Sequence, residues 1–248
     1  MFSWFDGRAK RVEMIPRLTA RGDRPSTTKV DIRDLTPELL PFLGQSAYVE
    51  LGVFESLARA VAIAPNLAAK QELSIAAGRA LSKHQGLVAE IRRRGAEPAD
   101  VMAPFVPALD AFRAEITGAD WTELLLSCYL VGGLLDDFFI RLSDGLPGEV
   151  GPRIAHLLGE DAGTVILATQ IAAAIAADAP LASHLALWGR RLVGDTLLIA
   201  RSALAFAGTP DPTGRVSAAG AAEARIEPVF TDLIAAHTRR MDGLGLTA

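Results

Sequence analysis

The stretch FLGQSAYVELGVFESLARAVA at 42–62 decides the fold. Within it Leu43, Ala47, Glu50, Phe54, Leu57 and Val61 step by four, three, four, three and four, the spacing of one helical face. A glutamate therefore sits in the middle of an apolar stripe. Burying a carboxylate without a partner costs roughly several kcal/mol even after relaxation, so an inward Glu50 implies a proton, a partner or a metal ion. The next segment, LSIAAGRALSKHQGLVAEI at 73–91, repeats the pattern. Its stripe reads Leu73, Ala77, Ala80 or Leu81, His84, Leu87 or Val88, and Ile91, which turns His84 inward and leaves Lys83, Glu90, Arg92 and Arg93 mostly facing elsewhere.

Composition frames these two helices. With 248 residues, half of them apolar, the chain is long enough for one large domain with a real core and is not a disordered protein. Aromatic residues are few and Ala and Leu abundant, and no run alternates as successive strands do, so the fold class expected is all-α. A net charge of −4 gives no general electrostatic reason to bind nucleic acid. The single cysteine, Cys128, lies in an apolar helix and reads as a small core residue; one cysteine cannot form an internal disulfide, which fits a reducing compartment. MFSWFDGRAKR at the start lacks the apolar region of a signal peptide, and the most apolar stretch, 165–177, contains Gln170 and is too short to span a bilayer. The expectation is a cytoplasmic protein without a membrane segment.

Residues 1–35 carry scattered charges and no sustained helical period, and read as an extended arm before a helical domain at 36–248. Thr36, Pro37 and Glu38 supply an N-cap, a first-turn proline and an early acid, starting a helix that runs to about Ala64. Pro65 opens the second helix, which ends in Arg92, Arg93 and Arg94 before Gly95. From Gly95 to Ala119 three prolines and a short helix at 109–116 suit a crossover. Asp120 and Glu123 then begin a third long helix, continuing to Leu142. Further helices are expected at 147–159, 162–177 and from Pro180 to about Ala207; 208–216 is a loop by composition, and a last helical region is interrupted near Pro228.

Inward polar residues on the first two long helices, then a crossover and more long helices, form the arrangement of ferritin-like four-helix bundles. Such bundles carry a dinuclear site built from one Glu on each of two helices and a Glu-x-x-His pair on each of the other two. Carboxylates bridge and neutralise hard cations there, while imidazoles leave positions open. Glu50 takes the place of the lone first-helix carboxylate, and His84 that of the second-helix histidine, whose acid belongs at Leu81.

The chain also resembles the actinobacterial ferritin-like proteins related to the tRNA hydroxylase MiaE, over roughly residues 30–248. YVELGVFESLARAVA at 48–62, LALWGRRLVGDTLLIARSA at 185–203 and LIAAHTRRMDGLGL at 233–246 carry the resemblance. It implies a ferritin-like four-helix bundle with a crossover connection and extra C-terminal helices. In members with a complete site it implies di-iron and dioxygen-dependent hydroxylation of a modified tRNA base. Carried onto this sequence, Glu50 and His84 match ligands, whereas Leu81, Gly132 and Gly163 stand where three more are expected. Glu160 stands at the acid of the last pair, and Asp136 and Asp137, one turn beyond Gly132, are the substitutes a shifted register would offer. The metal-ligand candidates are thus Glu50, His84, Asp136, Asp137 and Glu160, an incomplete set.

Asp195 falls in the stripe of Leu185, Trp188, Leu192, Ile199 and Ser202, and with Arg191, four residues before it, reads as a structural ion pair. His237, Arg239 and Arg240 suit either a phosphate or the ordinary cationic end of a helix. Two readings stay open. The first is a non-catalytic binding or regulatory protein with a degenerate metal site, no cofactor and an unknown protein or small-molecule partner, compatible with a homodimer. The second is a non-haem di-iron hydroxylase of the tRNA-hydroxylase-like type.

Overall fold

The computed structural model describes residues 38–205 and 216–248, with side chains at 38–201 and 227–248. The arm expected at 1–35, the caps Thr36 and Pro37, and the loop up to residue 215 lie outside the described residues. Among the described residues every regular element is helical.

Helix α1 (Leu39–Ala62) buries Phe42, Leu43, Ala47, Glu50, Leu57 and Ala60. Pro65 does not open the second helix itself; Asn66 does, its side-chain oxygen accepting from the amide of Ala69 at 2.9 Å, and α2 (Leu67–Arg93) runs antiparallel to α1 as its most extensive partner. Small residues are fully buried on both helices, Ala60 on α1 and Ala76 and Ala80 on α2. Gly95, at φ +72°, ends the segment.

The crossover holds α3 (Pro98–Met102), a 3₁₀ turn at Ala103–Phe105 and α4 (Val106–Ile116), longer than the 109–116 expected. Asp120 caps α5 (Trp121–Ser127), accepting from the amides of Thr122 and Glu123 at 2.8 and 2.9 Å. The third long helix is not continuous. A π turn at Cys128–Gly132 separates α5 from α6 (Gly133–Ser143) and inserts one extra residue into the helical repeat. Arg240 braces the point just after it: its guanidinium donates to the carbonyl of Gly133 at 3.0 Å, and a Cβ on Gly133 would lie 2.6 Å from Arg240 Nε.

Helices α7 (Val150–Leu158), α8 (Thr164–Ala177) and α9 (Ala179–Ala205) follow, and α10 (Val216–Gly243) passes through Pro228 without a break. Pro228 removes one helical hydrogen bond, which the flanking turns tolerate. Helices α1, α2, α5–α6 and α8 form the bundle; α9 lies against α5 and α8, and α10 against α6 and α9. Phe42 joins α1 to α6 by meeting Phe139 edge to face, ring centroids 5.6 Å apart, and Phe139 meets its α6 neighbour Phe138 at 5.3 Å; such pairs contribute about 0.5–1.5 kcal/mol each beyond their buried area. No helix among the described residues is long and apolar enough to cross a membrane.

Candidate site in the bundle core

Lys83, not His84, occupies the centre. On α2 it lies three residues after Ala80 and four before Leu87, both fully buried, and only 2% of it is exposed. The expectation that Lys83 faces elsewhere is corrected for this reason: positions 83 and 84 share the stripe between the same two apolar neighbours, and spacing cannot choose between them. The Lys83 ammonium donates to Asp136 Oδ2 at 2.7 Å and to the carbonyl of Leu158, also at 2.7 Å. Leu158 is the last residue of α7, so that carbonyl lacks an intrahelical donor and sits at the negative end of the helix.

Glu50 comes to the same centre from α1. It is 3% exposed, and its carboxyl shares a hydrogen bond with Asp136. Burial first, then the negative charge of Asp136 and that hydrogen bond, push the Glu50 acid well above the ordinary carboxylate range, against the opposing pull of Lys83. A protonated Glu50 donating to Asp136, with Asp136 paired to Lys83, gives a centre of zero net charge. Gly132, Ala162 in the turn before α8 and Thr164 at its start line a cavity of about 30 Å³ against Glu50 and Asp136.

The other ligand candidates do not converge here. His84 is half-buried, and its Nδ1 lies 2.8 Å from the Ala47 carbonyl, which makes it the protonated nitrogen of the ring. Asp137 pairs instead with Arg240, 2.9 Å away. Glu160 is exposed in the turn between α7 and α8. Gly163 closes that turn at φ +96°, and a Cβ there would lie 2.6 Å from Ala76 Cβ. The position expected for a fourth-helix histidine therefore belongs to a tight turn packed on α2.

These residues do not fit a dinuclear metal site. Leu81, Gly132 and Gly163 supply no donor, and of the two carboxylates that do meet, Asp136 is paired with Lys83 while burial pushes the Glu50 acid well above the ordinary range. The Lys83 ammonium at 2.7 Å from Asp136 already balances the charge that a cation would need from that carboxylate.

Two further carboxylates are buried, Glu90 unforeseen and Glu123 at the helix start its spacing predicted. Glu90, expected to face away from the core, is 1% exposed; it joins α2 to α7 by accepting from Arg94 at 2.6 Å, from Arg153 at 2.7 Å and from Arg93. Burial would raise its acid, but the Arg94 and Arg153 hydrogen bonds outweigh this and hold it below the usual range. Glu123 accepts from the amide of Ala119 at 2.5 Å and pairs with His184 at 2.6 Å. At the surface, Arg191 Nε lies 3.5 Å from Asp195 Oδ2 and its guanidinium stacks 5.2 Å from the Trp188 ring centre. Thr196, fully buried, takes the inward place on α9 that spacing assigned to Asp195.

A second, larger cleft of about 60 Å³ opens between α1, α4 and the π turn. It meets the Glu50 cavity at Val53, Cys128 and Gly132, which line both. The Cys128 thiol between them is buried, which pushes its pKa up to about 12 and keeps it protonated.

No curated protein matches this chain. A family model described as a ferritin-like domain of actinomycetes matches residues 37–205. Those residues run from the start of α1 to the end of α9 and include the bundle, the π turn and every residue of the central cluster. By its sequence and its fold, the chain belongs to the actinomycete ferritin-like domain family.

Proposed function

We propose that this protein is a non-catalytic member of its family that acts by binding, its core charge balanced by its own lysine instead of by metal ions. The observation that carries the reading is the contact between Lys83 Nζ and Asp136 Oδ2 at 2.7 Å, beside a Glu50 whose acid burial pushes well above the ordinary carboxylate range. Each carboxylate a metal centre would need is missing, already neutralised or, as Glu160, out at the surface. The likeness to MiaE relatives is then one of descent, and tRNA hydroxylation does not follow from it. A cytoplasmic location and a homodimeric or small-molecule partner fit the same reading.

Metal analysis of aerobically purified protein tests it. The expected result is iron and manganese far below one equivalent, with no rise in thermal stability when ferrous or manganous ion is added. About two equivalents per chain, the load of a dinuclear centre, would overturn the proposal in favour of an oxygenase.

A further inference from the structure

We infer that the cleft between α1, α4 and the π turn binds a small uncharged apolar molecule, an aromatic ring or a short hydrocarbon chain. The inference rests on the binding role proposed above and names its ligand class. Val49, Val53, Leu109, Phe112, Val131 and Leu135 form the walls. The polar groups around them are committed within the protein. Tyr48 donates to Asp110 at 2.7 Å; Arg113 donates to Asp110 at 2.7 Å and also to Glu55. The hydroxyls of Ser56 and Thr117 donate to the carbonyls of Gly52 and Arg113 at 2.9 and 2.7 Å. Ser127 Oγ accepts from Trp188 at 3.0 Å, and the Cys128 thiol stays neutral. A charged ligand would lose its hydration and find no free counterpart. An apolar one would displace water that the walls hold poorly. About 60 Å³ is room for roughly four waters, or for one ring or a few carbons in their place.

Gly132 shows that the space is kept and not merely left. A Cβ there would meet nothing closer than Val53, at 3.8 Å, so packing does not require glycine, and glycine weakens a helix. Gly132 lines both the cleft and the Glu50 cavity, so any larger residue there would take up space where the two meet. The π turn that carries Cys128 and Gly132 to its back wall is a distortion found often at binding sites.

Methyl NMR spectra of the full chain, titrated with toluene and in parallel with benzoate, test the inference. Toluene is expected to shift the methyls of Val53, Leu109 and Val131 saturably, and benzoate to leave them in place. Gly132→Leu should abolish the toluene shifts, and the milder Gly132→Ala, which has room for its methyl and keeps the fold, should weaken binding by about tenfold. Absence of saturable shifts, equal binding of benzoate, or full toluene binding by Gly132→Ala overturns the proposal. Metal content measured on the same sample separates the two readings. Metal-free protein that ignores toluene sinks the ligand and spares the non-catalytic role. Metal-loaded protein that binds toluene does the reverse.

Discussion

Lys83 and Asp136, on α2 and α6, form an ion pair 2.7 Å long in which the lysine side chain is 2% exposed and the aspartate 21%. The pair holds two bundle helices together from inside, and its value lies more in what its loss exposes than in its net attraction. Replacing one member strands the other charge in the core. Lys83→Met should therefore destabilise the protein by about 3–5 kcal/mol. The combination Lys83→Met, Asp136→Leu and Glu50→Leu should recover most of that loss in urea unfolding, because nothing charged is then left unpaired.

Glu50 sets a pH dependence of definite sign. In the unfolded chain its acid ionises near the ordinary value, about 4.3, whereas in the fold it holds its proton to higher pH. Between those two values the folded state binds more protons than the unfolded one, so its stability falls as pH rises, by up to about 1.4 kcal/mol per pH unit. Glu50→Gln should abolish that slope, seen as the difference between wild-type and variant urea midpoints across the range. An unchanged slope would show that the proton sits elsewhere.

His237 acts in the opposite direction. It is 3% exposed, neither ring nitrogen has a hydrogen-bond partner among the described residues, and burial, helped by the Arg240 charge, lowers its pKa. As pH falls through about 6.5 the unfolded chain takes up a proton that the folded chain refuses, so stability drops on acidification over that window. His237→Leu should remove the drop and raise stability at neutral pH by about 1–2 kcal/mol, since two unsatisfied polar atoms disappear.

Gly163 resists any side chain. Alanine there would adopt φ +96° and press within 2.6 Å of Ala76; the left-handed backbone costs about 1–2 kcal/mol and the overpacking about 1–3. Gly163→Ala should lower stability by roughly 2–5 kcal/mol in chemical denaturation. Gly163→His, the change that copies the ligand pattern, should cost at least as much and recruit no metal. A stable, metal-binding Gly163→His would contradict the turn described here.

The stripe around Glu50 was legible because its helix is regular and its spacing unambiguous. On α2 the same logic misassigned Lys83 and Glu90, both nearly fully buried. A long charged side chain is ordinarily placed outside, and only a partner from another helix reverses that; Asp136 and Arg153 are 53 and 63 residues away in sequence. Asp136 and Asp137 could not be told apart either. They differ by one residue, and the π turn before them adds one residue to the count, so no fixed period carries across it. Asp120, by contrast, announced its cap through local chemistry alone, as such caps do.

That extra residue also makes the third bundle helix unevenly tolerant of deletions in its gene. Losing one codon within 128–132 would convert the π turn into ordinary helix and leave the faces of α5 and α6 where they are. Losing one inside α5 or α6 would rotate the remainder by about 100° and carry Asp136 away from Lys83. The family's length variants in this helix should therefore cluster at the turn, where a single residue comes and goes without moving the core.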